Sequence, residues 1–451
     1  MPGWRTRSRL YVAALVVAVG FLSFLYGSWI TAYEFPPYAR LRGPLAAAKA
    51  LHAKWKHPGR YSRLFYGLAR SDRHGVVRHD PSLALAGYTL FSSGHGQSAY
   101  LVDMAGQLVH EWNRPLSEVW PEPAHLPEGL PPDEHVSVRM THLFENGDLI
   151  ALYAHGGGTP WGCGLVKMSS RSEVIWSYPD RVHHHFQVAA DGRIYTLAHE
   201  IVADRFDGLP KRIKPPLIED FLVVLSPDGE LLQRVSVTEA FLRSEHSGVV
   251  ESRQVGLPGD LWHVNSIFVL EPSLAAAFPQ FEVGQVLISV RAIDALAVVD
   301  LEQRVVTWLT RGPWYQQHDA EFAADGRILV FDNLGAFGPA RDPQPGPGAR
   351  SRVLEIDAAT LGIAWQHVGT ADEPLYTHRA GGQQRLANGN TLISEFGAGR
   401  ILEVTRDHQV AWEYHSPFRA PGDPRRVGLM YGAQRVDPQA LHFEQGGPRS
   451  R

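Results

Sequence analysis

The stretch that decides the fold is WYQQHDAEFAADGRILVFDN, residues 314–333. An apolar run after His318, an Asp325-Gly326 pair and a second apolar run, ILVF, predict a β-hairpin, because Asp-Gly turns tolerate the positive φ that tight turns require. The same pattern recurs in HHFQVAADGRIYTLAH, where His184 stands seven residues before its own turn, as His318 does. The two histidines are therefore expected at equivalent places in two copies of one unit.

Hairpin text of this kind occurs in six places along the chain. GYTLFSSGHGQSAYLVDMAGQLVHEW aligns with GQVLISVRAIDALAVVDLEQRVVTW and with GNTLISEFGAGRILEVTRDHQVAW, and each copy ends in a tryptophan that is expected to pack between units. Six units of about four short strands predict an all-β fold, a six-bladed β-propeller over residues 87–436, with residues 427–436 helping to close the ring. A β-sandwich is the alternative, but it does not predict repetition at this period.

Composition and motifs give no sign of a nucleic-acid partner, an internal disulfide or a cofactor. The 451 residues carry a formal net charge of −4, which gives no reason to expect a nucleic-acid partner. There is one cysteine, so no internal disulfide can form. No glycine-rich phosphate-binding loop is present, and no cofactor is predicted.

The beginning of the chain has the pattern of a membrane segment. Residues 1–9 carry three arginines and residues 10–32 carry no charge, which predicts a basic cytoplasmic stub and an uncleaved transmembrane anchor, with the body on the periplasmic or extracellular side. A cleavable signal peptide is the alternative. Residues 33–86 are expected to form a linker with a short helix at 45–56, and residues 437–451 a flexible tail.

The candidate chemistry follows from propeller geometry. The first strand of each blade lines the channel and the second returns antiparallel to it, so the start of one and the end of the other share a mouth. His184, His263 and His318 stand at first-strand starts, and Arg291 stands at a second-strand end. Asn265 follows His263 by two residues and is expected to point the same way. These five side chains should converge on one opening.

Two more polar residues, Asn333 and His199, take the position of Arg291 in their own units and are expected to bind substrate at the same mouth. Ionisable groups that converge in a concavity are what an active site requires. Two alternatives stay open: a non-catalytic propeller that binds a ligand or protein, and a three-histidine metal site in the channel. Adjacent strand residues face opposite sides, so His183, His184 and His185 cannot all bind one ion, and which of them faces the channel is open.

Over about residues 87–414 the chain resembles the bacterial arylsulfotransferase family. The resemblance rests on the repeat text beginning GYTLF, the HVNSI motif at His263, the strand end at Arg291 and the run QHDAEFAADGRILVFDN. It implies a six-bladed propeller in which a channel histidine, here His318, is transiently sulfated. It also implies that His184, His263, Asn265 and Arg291 bind the sulfuryl group.

The function that the resemblance implies is transfer of a sulfuryl group from an aryl sulfate to a phenol, without a nucleotide donor. The residue types suit this reaction, since neutral imidazole is a good nucleophile and surrounding donors can hold three sulfuryl oxygens. One of His184 or His263 is expected to move the phenol proton, because a phenol of pKa about 10 is poorly ionised at neutral pH.

Overall fold

The computed structural model describes residues 3–33, 65–126, 129–156, 161–252, 259–333, 350–370 and 372–445. The chain divides into two compact units, Met1–Arg60 and Tyr61–Arg451. The linker helix that the sequence predicts at residues 45–56 lies outside the described residues.

The described part of the first unit is one helix, α1 (Gly3–Tyr33). It contains the uncharged residues 10–32, for which the sequence predicts a transmembrane anchor. Of the helices that are described, however, none is both long enough and apolar enough to cross a membrane. The predicted membrane span is therefore not found in this part of the chain.

The α-helices of the second unit's described residues are short connections between strands. They are α2 (Leu116–Val119), α3 (Val237–Leu242) and α4 (Pro272–Ala275). Helix α3 begins where the Ser236 hydroxyl accepts a hydrogen bond from the backbone N–H of Glu239 (3.1 Å), which satisfies one of the free donors at a helix start.

The second unit is built from antiparallel strands. Those of its first half are β1 (Tyr66–Leu68), β2 (Gly75–His79), β3 (Tyr88–Ser93), β4 (Ser98–Val102), β5 (Leu108–Asn113), β6 (Val136–Leu143), β7 (Leu149–His155), β8 (Gly162–Met168), β9 (Val174–Tyr178), β10 (Val182–Val188), β11 (Ile194–Val202), β12 (Leu217–Leu225) and β13 (Leu231–Ser236). Those of its second half are β14 (Val264–Val269), β15 (Val286–Val290), β16 (Ala295–Asp300), β17 (Val305–Arg311), β18 (His318–Ala323), β19 (Arg327–Asp332), β20 (Arg352–Asp357), β21 (Ile363–His367), β22 (Gly382–Arg385), β23 (Thr391–Glu395), β24 (Arg400–Val404), β25 (Val410–His415), β26 (Arg419–Ala420), β27 (Asp423–Gly428) and β28 (Met430–Val436).

Within the described residues these strands form six sheets of four or five strands and one smaller sheet. Sheet 1 is β28-β3-β4-β5, sheet 2 is β6 to β9, sheet 3 is β10 to β13, sheet 4 is β14 to β17, and sheet 5 is β18 to β21. Sheet 6 is β22 to β25 with β2 at its outer edge, and the smaller sheet is β1-β27-β26. The prediction of an all-β fold is confirmed, and each of these sheets is open.

The hairpin at residues 314–333 has the predicted form. Strands β18 and β19 pair with Phe322 opposite Ile328 and with Ala323 opposite Arg327. In the connection, Asp325 and Gly326 have φ values of 69° and 73°. The left-handed conformation favours aspartate and glycine, so these two residues fix the turn and hence the register of the strand that begins at His318.

The first strands of the sheets contact one another in chain order, from β6 through β10, β14, β18 and β22 to β28, and β28 contacts β6 in turn. Strand β28 pairs with β3, placing Met430 opposite Ser93 and Val436 opposite Tyr88. A late strand thus completes an early sheet, whereas residues 427 and 428 belong to β27 of the smaller sheet. Strand β2 pairs with β25, so the sheets begin before residue 87.

Tryptophans near the ends of outer strands join neighbouring sheets, as the repeat predicts. In four cases the indole Nε1–H donates to a backbone carbonyl in a turn of the next sheet. The pairs are Trp112 with Gly147 (3.0 Å), Trp176 with Pro227 (3.1 Å), Trp365 with Arg406 (2.9 Å) and Trp412 with Met104 (3.0 Å). The described start of the expected tail also packs here, since the Phe443 ring lies 6.0 Å from that of Trp112. Buried tryptophan combines a large apolar surface with one polar group that needs a partner, and the turn carbonyl provides it.

Candidate active site

The three candidate histidines lie where the first strands of sheets 3, 4 and 5 are irregular. Strand β10 shifts register around His184, β14 just after His263 and β18 just after His318. His184 and His263 have φ values of 58° and 51°, and Asp319 has 53°. A bulge leaves a residue unpaired and re-aims its side chain, and positive φ in such residues persists only where the surroundings hold it. Three sheets thus carry the same local distortion at the same end.

These irregularities bring the histidine rings together. The ring centroid of His184 lies 5.1 Å from that of His263 and 6.5 Å from that of His318. The Trp161 ring lies 5.4 Å from His184 and 5.5 Å from His263. The cluster therefore consists of three imidazoles with an indole against two of them.

The hydrogen bonds of His318 identify its tautomer. The Asn333 side-chain Nδ2 donates to the carbonyls of Thr377 (2.8 Å) and Ala380 (2.7 Å), so its Oδ1 must face His318 Nδ1, which lies 2.7 Å away. An amide oxygen only accepts, so His318 carries its proton on Nδ1. The lone pair is on Nε2, to which the backbone N–H of Ala380 donates (3.2 Å).

His318 is held neutral. Burial, followed by the positive charge of Arg291, lowers the pKa of His318 to about 3, although the hydrogen bond to Asn333 acts in the opposite direction. A buried imidazole loses the hydration that stabilises its charged form, and a neighbouring cation adds repulsion. The Nε2 lone pair is consequently free of a proton throughout the physiological pH range.

His263 has a different partner. Its Nδ1 is hydrogen-bonded to a carboxylate oxygen of Asp260, three residues earlier. Burial raises the pKa of Asp260, but the hydrogen bond from His263 and the positive charges of His263, His183 and Arg291 together outweigh burial, so the net shift is downward. The ionised Asp260 accepts the Nδ1 proton, which places the lone pair of the neutral His263 ring on Nε2.

His184 is coupled to a neighbouring histidine, since its Nδ1 lies 2.7 Å from Nδ1 of His183. Burial and then the charge of His183 hold the pKa of His184 well below its usual range. Of the three adjacent histidines, His184 and His185 line the central cavity, whereas His183 lies beside Asp220 with 3.3 Å between its Nε2 and the carboxylate. This answers which of the three face the channel.

Arg291 and Asn265 adjoin the histidine cluster. Arg291 directly follows β15, as predicted, and its guanidinium donates to Oε1 of Gln316 (2.8 Å). Asn265 donates to the carbonyl of Gln317 (2.7 Å), while its side-chain oxygen is buried without a partner. A buried acceptor without a donor is where a ligand N–H or O–H is expected to bind.

Two predicted substrate-binding residues have other roles. All polar atoms of the Asn333 side chain are used within the protein, so Asn333 positions His318 and has nothing left for a substrate. His199 stacks on His183 with 4.3 Å between ring centroids and lies behind His184. Neither side chain lines the central cavity, so equal register placed these two residues at matching positions of their strands without turning them toward it.

A cavity of about 380 Å³ runs along the first strands of all six sheets. One part is cationic and imidazole-rich, with Arg139, His184 and His318, and another is acidic, with Asp319 and Glu321. Burial, and then the charge of Asp319, raise the pKa of Glu321 well above its usual value, so Glu321 holds a proton. Asn265 also lines the cavity, with apolar side chains at Met140, Phe268 and Phe396. His263 and Arg291 are not among the lining residues, but the His263 ring lies 5.1 Å from that of His184 and the charge of Arg291 lowers the pKa of His318.

Sequence reasoning missed Arg139 and Trp161. Arg139 lines the cavity from a bulge in β6, and its Nε is buried without a hydrogen-bond partner. It stands seven residues before Asn146, the start of the turn between β6 and β7, which is the same register as His184 and His318. The spacing of seven residues before a turn therefore also predicts Arg139 as a site residue. Trp161 precedes β8 in a loop and follows no repeat position.

Several solved structures and one family profile are similar to the chain. Among solved structures, the chain is similar to a protein of unknown function from Bacteroides caccae (10% identity, 73% of this chain and 94% of that chain, TM-score 0.46). It is also similar to virginiamycin B lyase from Staphylococcus aureus (10% identity, 81% and 97%, TM-score 0.39) and to the WD40 beta propeller domain of Doa1 (10% identity, 78% and 87%, TM-score 0.38).

No curated protein matches the chain. The profile of one family, described as arylsulfotransferase (ASST), matches residues 141–417, a range that covers His184, His263, Arg291 and His318. This is well over half of the chain, and it confirms the resemblance drawn from the repeat text and the HVNSI motif. The chain belongs to the arylsulfotransferase family.

Proposed function

We propose that the protein transfers a sulfuryl group from an aryl sulfate to a phenolic acceptor, with His318 as the nucleophile. The observation that carries the proposal is the hydrogen-bond chain from His318 Nδ1 through Asn333 to two backbone carbonyls, which leaves the lone pair on Nε2. A nucleophile needs that lone pair in place before the substrate arrives. The low pKa of His318, about 3, keeps it unprotonated.

In the first half of the reaction, Nε2 of His318 attacks sulfur, the N–S bond forms and the sulfur–oxygen bond to the aryl group breaks. The departing aryl oxygen takes a proton from the His263 imidazolium, which Asp260 stabilises. In the second half, neutral His263 removes the proton of the acceptor phenol, whose oxygen attacks sulfur. The electron pair of the N–S bond returns to Nε2, and the catalyst regains its starting form.

Charge on the sulfuryl oxygens needs donors that are already in place. Arg291 and Arg139 supply positive charge near His318 and His184, and burial lowers the pKa of Arg291 without neutralising it. The Ala380 N–H, which donates to Nε2 in the free protein (3.2 Å), is placed to donate to a sulfuryl oxygen once Nε2 is occupied.

The apolar part of the cavity suits an aromatic substrate. Phe268, Phe396 and Met140 line it, and a cavity of about 380 Å³ lies within the range typical of small-molecule sites. Edge and face contacts with such side chains stabilise an aromatic ring by about 0.5–1.5 kcal/mol each. We infer an aryl donor and a phenolic acceptor from this lining.

The proposed function also depends on how the six sheets are arranged. We infer that sheets 1 to 6 are the blades of one closed six-bladed propeller, with β28 as the closing strand. The contact of β28 with both β22 and β6, and the hydrogen bond from Trp412 of sheet 6 to Met104 of sheet 1, support closure.

We also propose that the sheet unit lies on the periplasmic or extracellular side. The support is in the sequence, where an arginine-rich start precedes an uncharged stretch at residues 10–32. Protease treatment of intact cells and of spheroplasts tests this location. Digestion only after the inner membrane is broken would refute it.

The experiment that tests the function uses an aryl sulfate whose free phenol is coloured, with a second phenol as acceptor. The intact protein should release the chromophore and sulfate the acceptor, and His318→Ala should abolish both. The matched control is His367→Ala, which removes another buried histidine of sheet 5 whose pKa burial also lowers, to about 4. It should keep normal activity.

Mass spectrometry of protein quenched with donor alone should find the sulfuryl group on a peptide containing His318, under neutral or basic handling. Turnover that persists in folded His318→Ala would refute the nucleophile. If the intact protein consumes no aryl sulfate from a broad panel, the alternative of a non-catalytic binding protein replaces the proposal.

A further inference from the structure

A second group of polar side chains lies in sheet 3, behind the histidine cluster. His183 is on β10, His199 on β11 and Asp220 on β12, and His199 and Asp220 are direct cross-strand partners. The three are 1%, 1% and 2% exposed. One nitrogen from each ring and one carboxylate oxygen all lie within 4.8 Å of one another.

Hydrogen bonds within the protein do not satisfy this group. His199 Nε2 is buried and has no hydrogen-bond partner. His183 Nε2 has only Asp220 Oδ1 beside it, at 3.3 Å. The other oxygen of Asp220 accepts the backbone N–H of Val264 (2.8 Å), which orients the carboxylate and leaves Oδ1 toward the histidines. Buried polar atoms are nearly always paired, so the arrangement calls for a ligand.

We propose that His183 Nε2, His199 Nε2 and Asp220 Oδ1 bind a divalent transition-metal ion, with Zn²⁺ as the best fit. Two imidazoles and one carboxylate match the ligands that zinc takes, whereas Ca²⁺ and Mg²⁺ prefer a set made of oxygens. Zinc ligands at 2.0–2.1 Å in tetrahedral geometry are about 3.3 Å apart. His183 Nε2 and Asp220 Oδ1 already have this separation, and a bound ion would draw the third ligand atom in from at most 4.8 Å.

This site differs from the three-histidine site that the sequence leaves open as an alternative. That site would use His184, His263 and His318, whose Nδ1 atoms are engaged by His183, Asp260 and Asn333 and which could offer a metal only their Nε2 atoms. The new set shares no residue with it. It also explains why His199 turns away from the channel and stacks on His183.

Metal binding would set the proton positions of the active site, a consequence that rests on the proposed function. A metal on Nε2 of His183 leaves its proton on Nδ1, 2.7 Å from Nδ1 of His184. His183 then donates to His184, whose own proton sits on Nε2. His184 becomes a hydrogen-bond donor for a sulfuryl oxygen instead of a base, and His263 is left as the proton carrier.

Metal content of the untagged, full-length protein, purified without added metal or chelator, tests the site. We expect about one Zn²⁺ per chain. After chelator treatment, titration with Co²⁺ should give the visible absorption bands of a four-coordinate nitrogen and oxygen site, and Zn²⁺ should abolish them. His199→Ala and Asp220→Asn should lose the metal and the bands. His367→Ala should keep both, since His367 lies in sheet 5.

The outcomes separate this proposal from the reaction. Substoichiometric metal in the purified protein together with no Co²⁺ spectrum refutes the site, and so does a spectrum that survives in Asp220→Asn. Should His199→Ala fail to fold, Asp220→Asn decides the matter, because asparagine keeps the acceptor for the Val264 N–H. Sulfuryl transfer plays no part in these measurements, so the metal site can stand if the proposed reaction fails, and the reverse.

Discussion

Replacing Asn333 with alanine removes the group that holds the proton on Nδ1 of His318. Three hydrogen bonds disappear, to His318 (2.7 Å), to the Thr377 carbonyl (2.8 Å) and to the Ala380 carbonyl (2.7 Å). At about 1 kcal/mol for a typical hydrogen bond, the free energy of unfolding should fall by about 3 kcal/mol. Asn333 is fully buried, so water cannot replace the lost bonds without entering the site.

The effect on catalysis should be separate from the effect on stability. Without the Asn333 oxygen, the His318 proton is free to move to Nε2, where it blocks attack on sulfur. Loss of about 1.4 kcal/mol of preference for the reactive tautomer changes the ratio of the two tautomers tenfold. The rate follows the fraction of molecules with the proton on Nδ1, so kcat/KM should fall in molecules that are still folded, by about tenfold once the Nε2–H form outnumbers the Nδ1–H form by about ten to one.

The matched control is Asn390→Ala. Asn390 is also buried, and its side-chain nitrogen donates to the Leu83 carbonyl (2.8 Å) and to Oε1 of Glu403 (2.7 Å), but it lies in sheet 6 away from the histidines. Denaturant unfolding, kcat/KM with a chromogenic aryl sulfate, and the ¹⁵N chemical shifts of the His318 ring would be measured for both variants. Asn390→Ala should lose stability alone. A folded Asn333→Ala protein with unchanged kcat/KM and an unchanged Nδ1–H tautomer would refute the reasoning.

Two further predictions concern protons. Asp260→Asn removes the anion that stabilises protonated His263, so kcat/KM with an ordinary aryl sulfate should fall by about a hundredfold. The loss should be smaller with an aryl sulfate whose phenol is more acidic, because that phenol needs less help from a proton donor. An equal loss for both donors would contradict the role of His263. The free energy of unfolding should fall as the pH drops below 6.5, because the unfolded chain then takes up protons on histidines that stay neutral in the folded protein. Burial, as the largest cause, lowers the folded pKa of these histidines to about 3 (His318) or about 4 (His95, His142, His367, His378). The slope for His318 is about 1.4 kcal/mol per pH unit until its folded pKa is reached. Glu219, whose pKa burial raises to about 7, opposes this trend, since its contribution is complete below 4.5 and is lost as the pH rises through 7. Unfolding midpoints that do not change between pH 6.5 and 4.5 would be inconsistent with neutral buried histidines.

The repeat in the sequence was enough to identify which residues share an end of their strands. Turn-relative spacing placed His184 and His318 at matching bulges, and the same spacing holds for Arg139, which was overlooked because its side chain is of another type. The number of residues between a side chain and the following turn therefore predicts where the side chain lies, whatever its chemical type.

The spacing from the turn could not predict which way a side chain points. Asn333 and Arg291 both follow second strands, yet the side chain of Asn333 is used up by His318 and two carbonyls, while Arg291 donates to Gln316. The difference comes from Thr377 and Ala380, which lie far along the chain and offer carbonyls only in the folded state. The same limit applies to Trp161, whose place over His184 depends on how a loop returns to β8.

Completion of sheet 1 by β28 has a consequence for biosynthesis. Strand β3 ends at Ser93, whereas β28 begins at Met430, so at a translation rate of about 5–20 residues per second β3 waits tens of seconds for its neighbour to leave the ribosome. During that time its apolar residues Leu90 and Phe91, which are buried in the folded protein, lack the neighbouring strand β28. The backbone N–H and C=O groups on that edge of β3 can then pair with other chains. The nascent protein is thus a natural client for chaperones that bind exposed strand edges.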